Sequence, residues 1–428
     1  MLQATLDPSA QSWVPSANEA TTDFPVQNLP WGVFAADDGE DHIGIAIGDQ
    51  ILDLKKAVLA EAIPGLSPEA ACAVCAPQLN QFMAMGHCVW QETRHAIWTF
   101  LEASASPRED LLVPQEGTVM RLPARIGDYT DFYAARNHAT NVGRMFRPDG
   151  DPLLPNYLHL PVGYHGRASS IVISGTDIQR PMGQLKPEEG PPVFAACRLL
   201  DYELECAAFI GTPNAMGTRV SMSEAMDHIF GIVILNDWSA RDVQKWEYQP
   251  LGPFNAKNFA STISPWIVTI DALTPFRSHG PQRMESDPAV LEYLQPVTDD
   301  ALDVTCEVTL SSSTMRSDGL DPMHLSSSSL TELTWTVSQM LAHHTSTGCP
   351  MNAGDLIGTG TISGAQKSQR GCLLELTWRG TEPMDLPDGT QRKFLLDGDE
   401  LTISAFCQGA GATRIGFGSC AGVIVPSR

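Results

Sequence analysis

Two glutamates one residue apart, Glu203 and Glu205, sit in the alternating run Asp201-Tyr-Glu-Leu-Glu-Cys-Ala-Ala-Phe-Ile210. In a strand, side chains alternate between faces, so both carboxylates project from one side while Tyr202, Leu204 and Cys206 face the other. Neighbouring anions repel, so the pair belongs on a solvated face or around a cation; taken alone, the solvated face is the simpler reading. Asp237 shifts the balance, because it follows the apolar run Ile229–Leu235 by two residues and sets a further carboxylate at the mouth of a buried strand. Upstream, Asp128-Tyr-Thr-Asp-Phe-Tyr-Ala-Ala-Arg-Asn-His138 reads as a helix start capped by Thr130 or Asp131. Asp131, Ala135 and His138 would then share one helical face. A capping Asp and an ordinary His is the plain account. A carboxylate and an imidazole two turns apart can also serve a metal ion and a general base in one pocket. The inventory is four acids, one His and the cations Arg147, Arg241 and Lys257. Hard oxygen donors favour calcium or magnesium over zinc, and the set suits Lewis-acid chemistry on a carbonyl compound.

The rest of the composition narrows the partners. The chain has 428 residues, with 27 Lys+Arg against 50 Asp+Glu and a net charge of −23. A nucleic acid would meet like charge over most of such a surface, so no nucleic-acid partner is expected. An anionic substrate needs a local group of cations to draw it in. Apolar runs such as Phe230–Leu235 fall far short of the ~18 residues that span a bilayer, so no membrane partner is expected either. No Lys or Arg precedes Lys55, and ten Cys are scattered through the chain; reduced thiols and a cytoplasmic location follow as expectations. Cys72-x-x-Cys75, with His87 and Cys88 downstream, fits no standard zinc spacing and reads as small core residues of a helix. Gly418-Ser-Cys-Ala-Gly422 has the form of a nucleophile elbow, but too little chain follows it to supply an acid and a His.

Three segments must carry these residues. Residues 1–29 read as an irregular, polar lead-in. From Trp31, the short apolar runs Trp31–Ala35, His42–Ile47 and Ile51–Leu54 alternate with turn residues and predict a small antiparallel sheet or barrel. Helices follow, one opening at Ser67-Pro68-Glu69 and another carrying Trp90, Ile97, Phe100 and Leu101. The small, polar stretch 103–110 reads as a linker, giving an N-terminal domain over 30–121 and a catalytic domain over 122–428. The latter is mainly β with some α. Strands are expected at Tyr202–Ile210, Val304–Leu310, Leu373–Trp378, Phe394–Leu396 and Leu401–Ala405, and a helix over Glu332–His344. Ser326–Ser329 reads as a loop or cap.

Several ordered motifs then resemble one family. They are Asp128-Tyr-Thr-Asp-Phe-Tyr with Asn137-His-Ala-Thr-Asn141, Leu158-His-Leu-Pro-Val-Gly-Tyr-His-Gly-Arg167, and Leu199-Leu-Asp-Tyr-Glu-Leu-Glu205. Asn236-Asp-Trp-Ser-Ala-Arg-Asp242, Pro250-Leu-Gly-Pro-Phe254 with Lys257, Gly360-Thr-Ile-Ser-Gly364 and Phe394-Leu-Leu-Asp-Gly-Asp399 continue the likeness, which is to the fumarylacetoacetate hydrolase family. The resemblance implies a small N-terminal β-barrel, a larger C-terminal β-rich roll or sandwich, and a homodimer. It implies cleavage by water of a small dianionic diketo acid, 4-fumarylacetoacetate, to fumarate and acetoacetate in tyrosine and phenylalanine catabolism. It further implies a divalent ion, calcium or magnesium, on Asp131, Glu203, Glu205 and Asp237, with a second magnesium near Asp237, Lys257 and Ser261. His138 would be the base, oriented by Glu375; Arg241, Gln244 and Lys257 would stabilise the oxyanion. Tyr133, Arg147, Tyr164, Gln244, Tyr248 and Thr361 would contact the substrate. Ser261 stands where the family pattern has Thr, and Ser329 where it more often has Asn. Two other readings stay open, an acylpyruvate hydrolase of the same fold and a non-catalytic metal-binding scaffold.

Overall fold

The strands Trp31–Ala35, Asp41–Ile47 and Gln50–Asp53 form an antiparallel meander, as the turn residues between them dictate. The structure is a computed structural model and describes residues 2–280 and 283–428. Leu112–Pro114 pairs with the third strand of the meander and Met120–Arg121 with the first, completing a five-stranded sheet. Stretch 103–110 therefore lies within the first domain: it leads back into the same sheet and links nothing. Among the described residues the two edge strands do not pair with each other. Strands of two and three residues are too short to close the expected barrel, and the sheet stays open. Ser67 caps the Pro68–Val74 helix by accepting from the Ala70 amide at 3.1 Å, and the longer helix runs His87–Leu101. Cys72 is exposed and Cys75 half-buried, so neither is the core residue expected. The lead-in is ordered: Val14 and Ala17 are buried, and the Trp13 indole donates to the Phe100 carbonyl at 2.7 Å.

The second domain is a sandwich within a mixed α/β fold. An eight-stranded sheet runs in the order Gly163–His165, Tyr129–Phe132, Leu356–Gly358, Leu204–Ile210, Ile229–Asp237, Ser261–Ile263 and Ile171–Ile173, with Val268–Thr269 also on the fifth strand. A five-stranded sheet built from Met323–Ser329, Thr305–Ser311, Glu400–Cys407, Ile415–Val425 and Ile178–Gln179 packs against it. Cys206, Ala208, Ile232 and Ile234 face that second sheet, whereas Ala207, Phe209, Phe230 and Val233 face the core of the first domain. Both faces are covered. This is why Ile229–Leu235 is apolar without interruption, where a half-exposed strand would alternate. Gly211 marks a close approach of the first domain, since a Cβ there would lie 2.4 Å from the Trp90 ring.

Five expectations about local structure need correction. Asp131 lies on a strand, and the helix begins at Arg136 behind Ala135, because parallel pairing with Leu356–Gly358 claims Tyr129–Phe132. Leu373–Leu376 is a helical turn, its Leu373 and Leu374 amides donating to the Asp201 carboxylate at 2.8 and 3.0 Å; a short apolar run does not distinguish helix from strand. The C-terminal helix spans only Val337–His344, because Thr336 and Gln339 form a capping box at its start. Ser326–Ser329 belongs to a strand whose ladder partner is Thr305–Ser311, although Ser329 also caps the Leu330–Glu332 turn by accepting from the Thr331 amide at 3.1 Å; Phe394–Leu396 forms an isolated bridge, Leu200 to Leu395.

Two of the contacts between the domains involve the His87–Leu101 helix and its surroundings. Phe230 packs edge-on against Trp90 (5.2 Å between ring centroids), Phe82 (6.0 Å) and Trp31 (6.1 Å), while Trp31 stacks on Phe82 at 4.4 Å. His87 bridges two acids of the second domain, Asp271 at 2.9 Å and Asp227 at 2.8 Å. Truncating Phe230→Ala should cost about 3–5 kcal/mol, read as a lower midpoint in urea unfolding. The hydrogen bond to Asp271, and then the charges of both acids, raise the His87 pKa above its ordinary 6.5 despite burial. A raised value in the folded state means the joint is fully stabilising below about pH 6.5 and weakens as pH climbs through the raised value. The melting-temperature gap between wild type and His87→Asn should accordingly be largest in acid and shrink in alkali; a gap independent of pH would dismiss the charged joint.

Candidate active site and metal centre

Sheet register gathers the acids. Asp131 is paired with Gly358, Glu205 with Leu235, and Asp237 with Ser261, which brings carboxylates from three strands, two of them separated by Leu356–Gly358, to one end of the sheet. Glu203 precedes its strand, held by its amide donating to Asn236 Oδ1 at 3.2 Å. One oxygen from each of Asp131, Glu203, Glu205 and Asp237 lies within 4.8 Å of all the others, and all four residues are buried. The solvated-face reading of Glu203 and Glu205 is overturned, since both faces of this sheet are covered. Gly360 completes the cradle: its amide donates to Asp131 and Glu205, 3.1 Å from each. It sits at φ 74°, and a Cβ there would lie 2.2 Å from the Phe132 carbonyl oxygen, so only glycine fits.

Burial and mutual repulsion set the electrostatics. Asp131 is pushed up to about 8, first by burial and then by the charge of Asp237; Glu205 is raised well above its usual range by burial and by Asp131. Glu203 shows the opposite outcome. Burial would raise it, but the charges of Lys257 and Arg241 hold it below the ordinary carboxylate range. The Lys257 ammonium donates to Glu203 and, at 2.6 Å, to Asp237 Oδ2. Arg241 Nη1 donates to Glu203 at 2.7 Å and Nε to Asp201 at 2.8 Å, and its Nη2 has no protein partner. Asp201 was not singled out from the sequence, although the period-two run Asp201-x-Glu203-x-Glu205 contains it.

Beside the acids stands a second group. The Arg136–Phe146 helix presents His138, whose Nδ1 lies 2.6 Å from Glu375 Oε2 on the Leu373–Leu376 turn. Burial acts to raise Glu375, yet the charge and hydrogen bond of His138, with bonds from Asn141 and Ser363, bring it down to about 2. Glu375 is thus an anion able only to accept, so in the neutral ring Nδ1 carries the hydrogen and Nε2 the lone pair. Cys372 also borders Glu375, its sulfur 3.2 Å away. Sequence reading gave no role to Asn141, Ser363 or Cys372, although Asn141 and Ser363 lie within two of the family motifs and Asn141 stands one helical turn beyond His138.

The remaining residues fall around this centre unevenly. The Tyr133 ring meets the His138 ring edge-on at 5.2 Å, and the Tyr164 hydroxyl donates to Asp237 Oδ2 at 3.0 Å. The Ser261 hydroxyl donates to Asp237 Oδ1 at 2.7 Å, Gln244 Oε1 accepts from Arg241 Nη1 at 3.3 Å, and the buried Thr361 hydroxyl has no partner. Arg147 follows the His138 helix; its Nη2 donates to the Pro152 carbonyl at 2.6 Å and its Nε has no partner. Tyr248 ends the Arg241–Glu247 helix, with its hydroxyl bonded to Gln249 rather than to the acids.

The donor set fits a hard divalent cation. Two cationic side chains face four carboxylates; among the described residues, the Asp131 and Glu205 carboxylates receive no hydrogen bond from a cationic side chain, and buried Glu205 Oε1 has no hydrogen-bond partner. Buried anions left in that state are costly unless a cation compensates them. Oxygen donors alone suit an alkaline-earth ion.

Two family profiles match most of the chain in sequence: "Fumarylacetoacetase N-terminal" over residues 27–123 and "Fumarylacetoacetate (FAA) hydrolase C-terminal" over 129–425. The fumarylacetoacetase of Homo sapiens is 48% identical over 428 residues, covering 97% of this chain and 99% of that protein. That of Arabidopsis thaliana is 46% identical over 413 residues, covering 94% and 96%. Among solved structures, a fumarylacetoacetate hydrolase of Exiguobacterium antarcticum superposes with a TM-score of 0.50 at 19% identity, covering 94% of this chain and all of that one. An HpcE protein of Mycobacterium smegmatis superposes with a TM-score of 0.53 at 19% identity, covering 92% and 99%; these two likenesses concern the fold alone. With both profiles matched in order and near-half identity along almost its whole length, this chain belongs to the fumarylacetoacetate hydrolase family.

Proposed function

We propose that the protein hydrolyses the carbon–carbon bond of 4-fumarylacetoacetate, giving fumarate and acetoacetate, as a hydrolase of ketonic substances in tyrosine and phenylalanine catabolism. The observation that carries the reading is the pairing of near full-length identity to fumarylacetoacetases with a buried four-carboxylate cluster beside a His–Glu pair. Asp131, Glu203, Glu205 and Asp237 would hold the divalent ion, which when bound draws electron density from both oxygens of the β-diketone. His138 Nε2 takes a proton from water, and the hydroxide oxygen adds to the carbonyl on the fumaryl side. Glu375 holds the resulting imidazolium. Arg241 Nη2, with no protein partner, and Lys257 face the negative charge that develops, supported by Gln244. The bond between the carbonyl carbon and the acetoacetate carbon then breaks. Its electron pair leaves as an enolate, and the proton held on His138 returns to that carbon. Water is thus divided, hydroxyl to fumarate and hydrogen to acetoacetate.

Tyr133, Arg147, Tyr164, Tyr248 and Thr361 would orient the substrate. Arg147, Arg241 and Lys257 supply the local positive charge that a dianion needs on so acidic a chain. Finer readings belong with this proposal. The bound ion is calcium or magnesium, as an all-oxygen donor set favours, with a second magnesium served by Asp237, the Lys257 carbonyl oxygen and the Ser261 hydroxyl; an ammonium cannot ligate. Ten free cysteines suit the cytoplasm. The exposed side chains of Phe194, Trp246, Leu251 and Phe254 suit a homodimer contact, and the five-stranded N-terminal sheet, left open, suits a half-barrel first domain that ends near residue 121.

His138→Ala should abolish loss of the conjugated substrate's absorbance while bound metal, measured by elemental analysis, stays at the wild-type level. Near-normal turnover would remove His138 from the base role. Glu203→Gln deletes one anionic ligand and should weaken metal retention by roughly ten-fold or more in a chelator competition, with activity restored by excess metal. Comparing fumarylacetoacetate with simple acylpyruvates tests the substrate, and a strong preference for the acylpyruvates would overturn it.

A further inference from the structure

The Glu375 carboxylate is more heavily bonded than a simple orienting group requires. Oε2 accepts from His138 Nδ1 at 2.6 Å and from the Ser363 hydroxyl at 2.8 Å, with the Cys372 thiol at 3.2 Å; Oε1 accepts from Asn141 Nδ2 at 2.8 Å. The direction of the Ser363 bond is fixed by its surroundings. The Gly371 amide, which can only donate, points at Ser363 Oγ from 2.9 Å, so the hydroxyl hydrogen must go to Glu375. Asn141 stands three residues after His138 on the same helix, so one element delivers both the imidazole and a donor to the carboxylate beneath it. Arg370 closes the arrangement by donating to the Glu375 backbone carbonyl at 2.8 Å.

We propose that Asn141 and Ser363 are positioning residues that keep Glu375 an acceptor-only anion and thereby lock the His138 hydrogen onto Nδ1, leaving Nε2 free for water. This rests on the His138 reading given under Proposed function. With Ser363 donating to Oε2 and Asn141 to Oε1, both carboxylate oxygens are held in place, and the imidazole takes the remaining direction on Oε2. Removing either donor frees a lone pair, lets the ring rotate and makes the carboxylate more basic toward a proton. The apparent pKa of the His138–Glu375 pair then rises, and the acid side of the kcat profile moves to higher pH. The other ionisable neighbours are Cys372, Tyr133 and Tyr202, all pushed up by burial, together with Glu203, Arg241 and Arg370. They are unchanged in the test variants.

The test uses the full chain labelled with 15N-histidine, as wild type, Asn141→Leu and Ser363→Ala, with the His138 signal identified by its loss in His138→Ala. In long-range 1H–15N spectra the wild-type neutral ring should carry its hydrogen on Nδ1, and the two variants should show a mixture of tautomers. With metal bound, kcat should fall roughly ten-fold while KM stays within about two-fold, and the acid limb should shift upward in pH. Unaltered tautomer and acid limb in folded variants would overturn the proposal, because a purely structural tie would lower only the melting temperature. Asn141→Ala, at a half-buried position, serves if Ser363→Ala does not fold. The tautomer is read without substrate, so the proposal can fail or stand independently of the fumarylacetoacetate assay.

Discussion

Four carboxylates held within a few ångströms of one another in a water-poor interior form the constraint around which the second domain is arranged. Lys257 and Arg241 offset part of that charge from opposite sides of Glu203, and the Gly360 amide serves the two acids that neither cation reaches. The remaining imbalance is what a hard cation relieves. A cluster of this kind cannot be assembled by a loop. It needs strands whose register is fixed on both faces, and the double burial of the central sheet provides that fixity.

The same scaffold separates two kinds of acid. Glu203 and Glu375 stay ionised because cations or hydrogen-bond donors surround them, whereas Asp131 and Glu205 are driven toward the neutral form by burial and by each other. One pocket therefore contains a permanently charged acceptor for the imidazole and a group of oxygens whose ionisation waits on a metal. Base and ligands keep their distinct tasks although all are carboxylates or depend on one.

Much of this was legible in the residue order. The strands Trp31–Ala35 and Asp41–Ile47, the Ser67 cap and the apolar Ile229–Leu235 run carry period and capping signals that the structure reproduces. What misled was context. Asp131 sits in a stretch with good helix-start chemistry, but the parallel strand Leu356–Gly358, far along the chain, recruits it into the sheet. Leu373–Leu376 has no local feature that separates strand from helical turn, and the deciding hydrogen bonds come from distant Asp201. Asn141 and Ser363 gave little sign of themselves, because their significance lies in pointing at Glu375, and Glu375 itself looks like one acid in an apolar run. Sequence pattern reports periodicity; it is silent on which faraway group a side chain will meet.

The strand that ends in Asp237 shares its far surface with Trp31, Phe82 and Trp90. The leading domain is thus half of the packing that keeps an essential ligand in place. Cut away from it, the remaining polypeptide would present Ala207, Phe209, Phe230 and Val233 as a bare greasy wall, seeking other copies of itself before it could ever reach catalysis.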